Sequence, residues 1–268
     1  MKLELLISAL NAEPDKLTEK MGITGDAVLI NQCGRENSSV IEVRDGSVRV
    51  LSFAEKGVGK SRNRAIEAAE GDIVLFADDD IVYDDGYVDK VIKEFEAHPE
   101  ADGLFFNFQV CEERRTYYNT DFKRVHLWNG GRYPAYSIAL RSAALKSSGV
   151  RFSELFGGGA KYSCGEDSLF IRDCLKAGLK MYRTPVCIGR EEPRPGGEST
   201  WFKGYDEKYF FDRGVLYAYL YGALAAPMGF RYVYAKRKTM CRDIPWQQAY
   251  RLLKKGIKEG KNGNSNIR

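Results

Sequence analysis

Short apolar runs alternate with helix-like stretches along the first two hundred residues. Apolar or β-branched runs lie at 3–8, 26–31, 47–53 and 72–77, and helical patterns cover 57–70 and 86–97. Further strands are predicted at 104–110 and 136–140, followed by a helix at 166–177 and a strand at 180–184. Strands alternating with helices predict an α/β fold with a mixed, mostly parallel sheet flanked by helices.

The pattern changes near residue 201, where the chain becomes aromatic and then basic. Residues 214–230 carry no charged side chain, but glycines and a proline interrupt them and they fall short of the ~20 apolar residues of a membrane-spanning helix. Residues 231–268 hold eleven Lys and Arg against two Asp and Glu. We expect a C-terminal helical segment that either packs on the main domain or rests on a membrane interface.

Composition excludes several classes of protein. The 268 residues include 44% hydrophobic and 29% charged residues, which is typical of an ordinary globular protein. Six cysteines without CxxC spacing and two histidines argue against a zinc finger, a disulfide framework or a histidine-based nucleophile mechanism. We expect a cytoplasmic protein without a signal peptide, because Glu4 interrupts the first apolar run.

The strongest chemical signal is the apolar run at 72–77, which leads into Asp78, Asp79 and Asp80. Adjacent carboxylates at the end of a buried strand are costly unless a cation or hydrogen-bond donors compensate them. In an extended segment Asp78 and Asp80 would face one side, and such hard oxygen ligands suit Mg²⁺ or Mn²⁺. A solvated acidic turn is the plainer interpretation, and we favour the metal site.

A second signal is Gly57 and Gly59 at the start of a helix whose first turn carries Lys60 and Arg62. This arrangement predicts an anion-binding helix N-terminus. It also approaches a Walker A loop, with Ala54 where that motif needs glycine. The alternative function is therefore a P-loop NTPase or kinase that uses Lys60 and Asp78.

A third signal is a glycine-rich loop at 157–159, followed by Glu166 and Asp167 at a helix start. These acids either cap the helix or face a cleft.

The three signals in this order resemble the bacterial family 2 glycosyltransferases of GT-A fold. The likeness spans roughly the first two hundred residues, with 57–63 similar to the family's helix start, Asp78-Asp79-Asp80 to its D-x-D motif and Glu166-Asp167 to its acceptor-side acid pair. It implies a GT-A domain at 1–200, with a nucleotide-sugar half at 1–110 and an acceptor half at 111–200, followed by the segment at 201–268.

The resemblance also implies a mechanism and its residues. Asp167, beside Glu166, would be the base of an inverting, metal-dependent transfer from a nucleotide-diphosphate sugar, with UDP the expected nucleotide. Mn²⁺ or Mg²⁺ would lie on Asp78 and Asp80, with Glu198 replacing a missing histidine. Donor-binding residues would be Ser8, Asn11, Gln32, Lys60, Arg62, Asn63, Asp78 and Asp79.

The expected partners follow from the same resemblance. The acceptor would be a glycan or a polyprenyl-linked molecule of surface polysaccharide synthesis, and no nucleic acid is expected. The protein would act in the cytoplasm, either free or peripherally on the inner face of the cell membrane through its C-terminal segment.

Overall fold

A computed structural model describes residues 1–112, 114–192 and 204–263. Within them ten strands form one sheet: β1 (Leu3–Leu10), β2 (Asp26–Gln32), β3 (Asn37–Val43), β4 (Gly46–Phe53), β5 (Ile73–Asp78), β6 (Ile81–Tyr83), β7 (Gly103–Gln109), β8 (Lys123–Arg124), β9 (Ile138–Arg141) and β10 (Met181–Glu191). The α-helices are α1 (Pro14–Met21), α2 (Val58–Ala68), α3 (Tyr87–Ala97), α4 (Ser142–Ser148), α5 (Glu166–Lys176), α6 (Glu207–Tyr221), α7 (Ala225–Met240) and α8 (Trp246–Gly263).

The sheet is mixed, with a parallel half formed by the N-terminal strands. Its order is β3-β4-β2-β1-β5-β9-β7-β10-β6, and β8 pairs with β10. Strands β4, β2, β1 and β5 run parallel, so their carboxyl ends meet at one edge. Strands β3, β6, β8 and β9 are antiparallel to their neighbours. The predicted fold class is confirmed.

Apolar side chains fill both faces of the sheet. One cluster packs α1 and α3 against one face, and a second packs α2, α4 and α5 against the other. A strand covered on both faces is apolar along its length, as β1 and β5 are. These two strands are therefore rigid, and they fix the position of whatever follows their carboxyl ends.

Sequence periodicity located most of these elements and missed some. The predicted helix at 57–70 is α2, the one at 86–97 is α3 and the one at 166–177 is α5. The predicted strand at 180–184 continues as β10 to Glu191, through register shifts that disturb its apolar alternation. Strand β3 was missed because it is an exposed edge strand with a polar sequence.

The C-terminal helices form a third apolar cluster, which also includes Phe156, Tyr162 and Leu169. Helices α6 and α8 approach closely at glycines: a Cβ at Gly256 would clash with the carbonyl oxygen of Phe211. Among the described residues no helix combines the length and apolar character needed to cross a bilayer. The division into domains at residue 200 stays a prediction.

Candidate active site

A cleft of about 660 Å³ opens at the carboxyl ends of β1, β2 and β5. Strand register places Ser8 of β1 beside Asp78 of β5, and Leu10 beside Gln32 of β2. The N-terminus of α5 and the side of α6 form the opposite wall, which contributes Glu166, Asp167 and Arg213. Open α/β sheets bind ligands at this edge, so the cleft is the candidate active site.

The three aspartates all line this cleft, but not through the alternation that the sequence suggested. Strand β5 ends at Asp78, and Asp79 and Asp80 form a turn before β6. The prediction that Asp78 and Asp80 share one side of an extended segment, with Asp79 facing away, was therefore wrong in its geometry. The turn still presents all three residues to the cleft.

Glu166 and Asp167 begin α5 and face the same space. The backbone N–H of Ala135 donates to Asp167 Oδ2 at 3.1 Å, and Gly165 N–H donates to Glu166 Oε2 at 3.0 Å. Burial raises the pKa of both carboxyl groups, and the neighbouring Asp167 charge raises that of Glu166 further. An acid pair with raised pKa in a cleft is a candidate for proton transfer.

A single buried guanidinium joins the two acidic groups. Arg62 of α2 donates from Nη2 to Asp78 Oδ1 at 2.9 Å and from Nη1 to Asp167 Oδ1 at 2.6 Å, and Nη1 lies 3.5 Å from Glu166 Oε1. Its side chain is only 4% exposed and its Nε has no hydrogen-bond partner. Arg62 thus bridges carboxylates, whereas the sequence had assigned it to a diphosphate.

Two backbone N–H groups at the N-terminus of α2 already donate to oxygen atoms of the protein. The side-chain amide of Gln32 makes two hydrogen bonds with the backbone of Gly57, both at 3.1 Å: Oε1 accepts from the Gly57 N–H, and Nε2 donates to the Gly57 carbonyl oxygen. The N–H of Val58 donates to the carbonyl oxygen of Gly158 at 2.9 Å. These bonds satisfy two of the amides at this helix start, and the predicted anion site there stays a prediction.

Most, but not all, of the predicted residues meet at the cleft. Those in its wall are Ser8, Gln32, Arg62, Asp78, Asp79, Asp80, Glu166 and Asp167. Asn11 and Lys60 do not line it, and Asn63 turns away to bind the backbone of Phe152 through its Oδ1 at 2.8 Å and Nδ2 at 3.0 Å. The donor-binding role predicted for Asn63 is thus replaced by a structural one. Glu198 lies outside the described residues.

Sequence reasoning missed several residues of the wall. Arg114 pairs with Glu191 at 2.5 Å, and Tyr136, Arg132 and Arg213 complete the wall around the acid pair. Arg114 and Arg132 lie on loops, Tyr136 in a short 3₁₀ helix and Arg213 on the aromatic helix α6, all outside any recognisable motif. The one available signal was Arg213 itself, which directly precedes the apolar and aromatic second half of α6.

The acidic turn fits a divalent ion that a ligand helps to hold. In the described part of the chain no three His, Cys, Asp or Glu side chains are grouped as a complete metal cage. Mg²⁺ and Mn²⁺ are, however, commonly held by one or two carboxylates with water and substrate phosphates filling the remaining positions. Asp78 and Asp80 supply that donor set, although Arg62 occupies one oxygen of Asp78.

Comparison with known proteins agrees with this arrangement. A sequence model of Glycosyl transferase family 2 matches residues 33–151, which include Arg62 and the three aspartates. No curated protein sequence matches the chain.

Solved structures share the fold at low sequence identity. The crystal structure of S. aureus TarS 1-349 in complex with UDP-GlcNAc has a TM-score of 0.62 at 15% identity, covering 91% of this chain and 74% of that one. A second TarS 1-349 structure has a TM-score of 0.64 at 14% identity, covering 97% and 81%. The mannosyltransferase PcManGT from Pyrobaculum calidifontis, in complex with GDP-Man and Mn²⁺, has 0.53 at 12%, covering 100% and 76%. With the family match, they confirm the resemblance and the fold that the motifs predicted.

Proposed function

We propose that this chain is a family 2 glycosyltransferase that transfers a sugar from a nucleotide-diphosphate donor to an acceptor hydroxyl with inversion. The observation that carries the proposal is the meeting of two acidic groups in one cleft. Asp78, Asp79 and Asp80 lie at the end of a parallel strand, and Glu166 and Asp167 lie at a helix start across from them.

The donor would lie over the carboxyl ends of β1, β2 and β5. Ser8, Gln32 and the acidic turn form this part of the wall. The likeness to a TarS structure in complex with UDP-GlcNAc supports UDP as the first nucleotide to test. The likeness to a mannosyltransferase in complex with GDP-Man makes GDP the second.

Asp80 and Asp78 would hold Mn²⁺ or Mg²⁺ in the donor complex. A divalent ion there supplies positive charge that stabilises the departing nucleotide diphosphate. Arg62 orients the Asp78 carboxylate, since its guanidinium donates to Oδ1.

Asp167 would take the proton from the acceptor hydroxyl as that oxygen attacks the anomeric carbon opposite the leaving group. Arg62 and the Ala135 N–H each bind one oxygen of Asp167, which fixes the orientation of the carboxylate. Burial raises its pKa, which makes the carboxylate a stronger base. General-base assistance of this kind contributes about 10²–10⁴-fold in rate.

The enzyme would act in the cytoplasm, where its C-terminal helices would bring it to the anionic inner face of the cell membrane. That membrane would carry a polyprenyl-linked acceptor of surface polysaccharide synthesis. Exposed apolar side chains at Leu224, Phe230 and Tyr234 lie on or beside α7, which ends in basic residues. Apolar groups beside cations favour an anionic lipid interface.

Vesicle flotation tests this membrane contact. The full chain should float with phosphatidylglycerol vesicles and lose that binding on Phe230→Ser. The control Val40→Ser, at a 60% exposed position on β3, should float normally. Equal flotation of the two variants would refute the contact.

The transfer reaction is tested by nucleotide release. The wild type should release UDP or GDP from at least one donor sugar in a panel, with Mn²⁺ present. Asp167→Asn should reduce the rate by about 10²-fold or more. The matched control is Asp173→Asn on the same helix, where the carboxylate pairs with Arg172 and is 42% exposed. If Asp167→Asn keeps the wild-type rate, Asp167 is not the base.

A further inference from the structure

Arg213, in the wall of the cleft, forms no ion pair with a carboxylate in the part of the chain that the structure describes. The Nη2 of Arg213 donates to the Tyr209 hydroxyl at 3.1 Å and lies 3.6 Å from the Cys164 sulfur. Its guanidinium also stacks near the rings of Tyr209 and Tyr232, at 5.2 and 5.4 Å from their centroids. Its Nε is buried without a hydrogen-bond partner. The partners that the described residues give Arg213 are therefore neutral.

The nearest acid in sequence does not neutralise Arg213. Asp212 precedes it on α6, and its Oδ2 accepts from the backbone N–H of Ser163 at 2.9 Å and from Lys208 Nζ at 2.5 Å. The other buried arginine of the wall contrasts with this: Arg62 makes ion pairs with three carboxylates. Within the described residues the positive charge of Arg213 is therefore not neutralised, and it adds to the charge of the cleft wall.

A guanidinium removed from water without an anion is costly, and its positive charge is strongest where solvent is scarce. The open side of this group is the cleft, because Arg213 is one of the wall residues. Guanidinium groups with unused N–H donors match the oxygen atoms of phosphate. The ligand that satisfies Arg213 should therefore be anionic.

The position of Arg213 relates that anion to the reacting centre. Its contact Cys164 lies two residues before Glu166, and α6 packs directly on this loop, since a Cβ at Gly165 would meet Leu216. Arg132, which donates to the Tyr133 hydroxyl at 3.3 Å, adds a second cation to the same wall. Both basic residues lie on the wall across from the ends of β1 and β2.

We propose that Arg213 binds a phosphate group of a substrate beside the acid pair at the start of α5. The inference rests on the proposed glycosyl transfer, which offers two sources of phosphate: the donor diphosphate and a phosphate on the acceptor. An acceptor source would make phosphate-bearing acceptors the substrate class of this enzyme.

Calorimetric titration of the full chain distinguishes the sources. The probes are UDP and uridine, each with Mn²⁺, and inorganic phosphate with and without saturating UDP. If the phosphate comes from the donor, Arg213→Met should weaken UDP binding at least tenfold and leave uridine unchanged. If it comes from the acceptor, UDP binding should stay and the inorganic phosphate bound by the wild type in the presence of UDP should be lost. Unchanged binding of both UDP and phosphate in Arg213→Met would overturn the proposal.

Two controls separate binding from folding. Arg141→Met removes another guanidinium that stacks on an aromatic ring, 5.1 Å from the centroid of Phe95, but lies outside the cleft wall. It should bind UDP and phosphate as the wild type does. If Arg213→Met does not fold, labelling of the wild type with phenylglyoxal gives the answer: phosphate or UDP should protect Arg213 at least several-fold, and absence of protection by either would overturn the proposal.

Failure of the proposal and failure of the proposed function give different results. If the chain binds no nucleotide but inorganic phosphate protects Arg213 from phenylglyoxal, nucleotide-sugar transfer is refuted and the phosphate site stands. A chain that binds UDP with Mn²⁺ equally well with and without Arg213, and binds no phosphate, would keep the transferase and refute the site.

Discussion

Replacing Arg62 by methionine removes the charge that joins the two acidic groups of the cleft. Methionine fills similar space, so the main loss is electrostatic. In the wild type the guanidinium bonds Asp78 at 2.9 Å and Asp167 at 2.6 Å, with its side chain only 4% exposed. The variant leaves these two carboxylates and Glu166 without that cation.

The expected loss of unfolding free energy follows from the burial of these ion pairs. Breaking a buried ion pair by removing one partner costs about 3–5 kcal/mol, because the remaining charge stays in a poorly solvated site. In the wild type, burial raises the pKa of Glu166 and Asp167, and the Arg62 charge partly offsets this by lowering both pKa values. Without Arg62 both pKa values rise further, and the folded state holds protons that the unfolded state releases. Each such proton lowers the free energy of unfolding by about 1.4 kcal/mol per pH unit as pH increases.

Urea denaturation between pH 5.5 and pH 8 measures this effect. The loss of unfolding free energy in Arg62→Met should reach about 3–5 kcal/mol near pH 8 and shrink toward pH 5.5. The control is Arg64→Met on the same helix, where the guanidinium is 48% exposed and pairs with Glu55 at 3.5 Å, so the loss should stay within about 1 kcal/mol. A loss in Arg62→Met that is equally small and independent of pH would refute the bridging role.

Three further predictions concern packing, charge and the P-loop alternative. Gly256→Ala should lower the free energy of unfolding by about 1–3 kcal/mol, because the new Cβ would clash with the carbonyl oxygen of Phe211. The control Gly263→Ala on the same helix should not, because its Cβ would lie 3.5 Å from the Tyr219 hydroxyl, in ordinary contact. Equal stability of the two variants would contradict the close approach of α6 and α8. Burial and the Asp167 charge raise the pKa of Glu166 from 4.5 to about 7. The wild type should therefore lose stability as pH rises from about 4.5 through about 7, and Glu166→Gln should lose less over that window. If the free energy of unfolding changes with pH in the same way for both proteins, the shift is contradicted. Lys60→Ala should change nucleotide release no more than a few-fold, because Lys60 is outside the cleft wall, whereas a P-loop enzyme would lose its turnover.

The fold was predictable because its strands are covered on both faces. Strands β1 and β5 are almost entirely buried, so their apolar runs stand out in the sequence. The edge strand β3 is mostly exposed and carries no such run. Helix α1 was missed because it has only eight residues, so its buried Leu17, Thr18 and Met21 span little more than one helical turn.

The site was predictable as far as local motifs reach. Asp78 and Asp167 were identified from their neighbours in sequence, and their meeting across the cleft agrees with the expected order of motifs. The bridge through Arg62 was not predictable, because it joins residues separated by 105 positions. Arg213 was missed because a single arginine in a helix has no motif, and its unusual environment exists only after α6 packs on the loop before α5.

Calorimetric titration of the full chain with UDP, in the presence and absence of Mn²⁺, tests the central claim most directly. We expect Mn²⁺ to strengthen UDP binding at least tenfold in the wild type and to have no effect in Asp80→Asn, because the Asp80 carboxylate would hold the ion that binds the diphosphate. The control Asp84→Asn, beyond the acidic turn and outside the cleft wall, should respond to Mn²⁺ like the wild type. Binding of UDP that ignores Mn²⁺, or an Asp80→Asn variant that responds to it fully, would contradict the account.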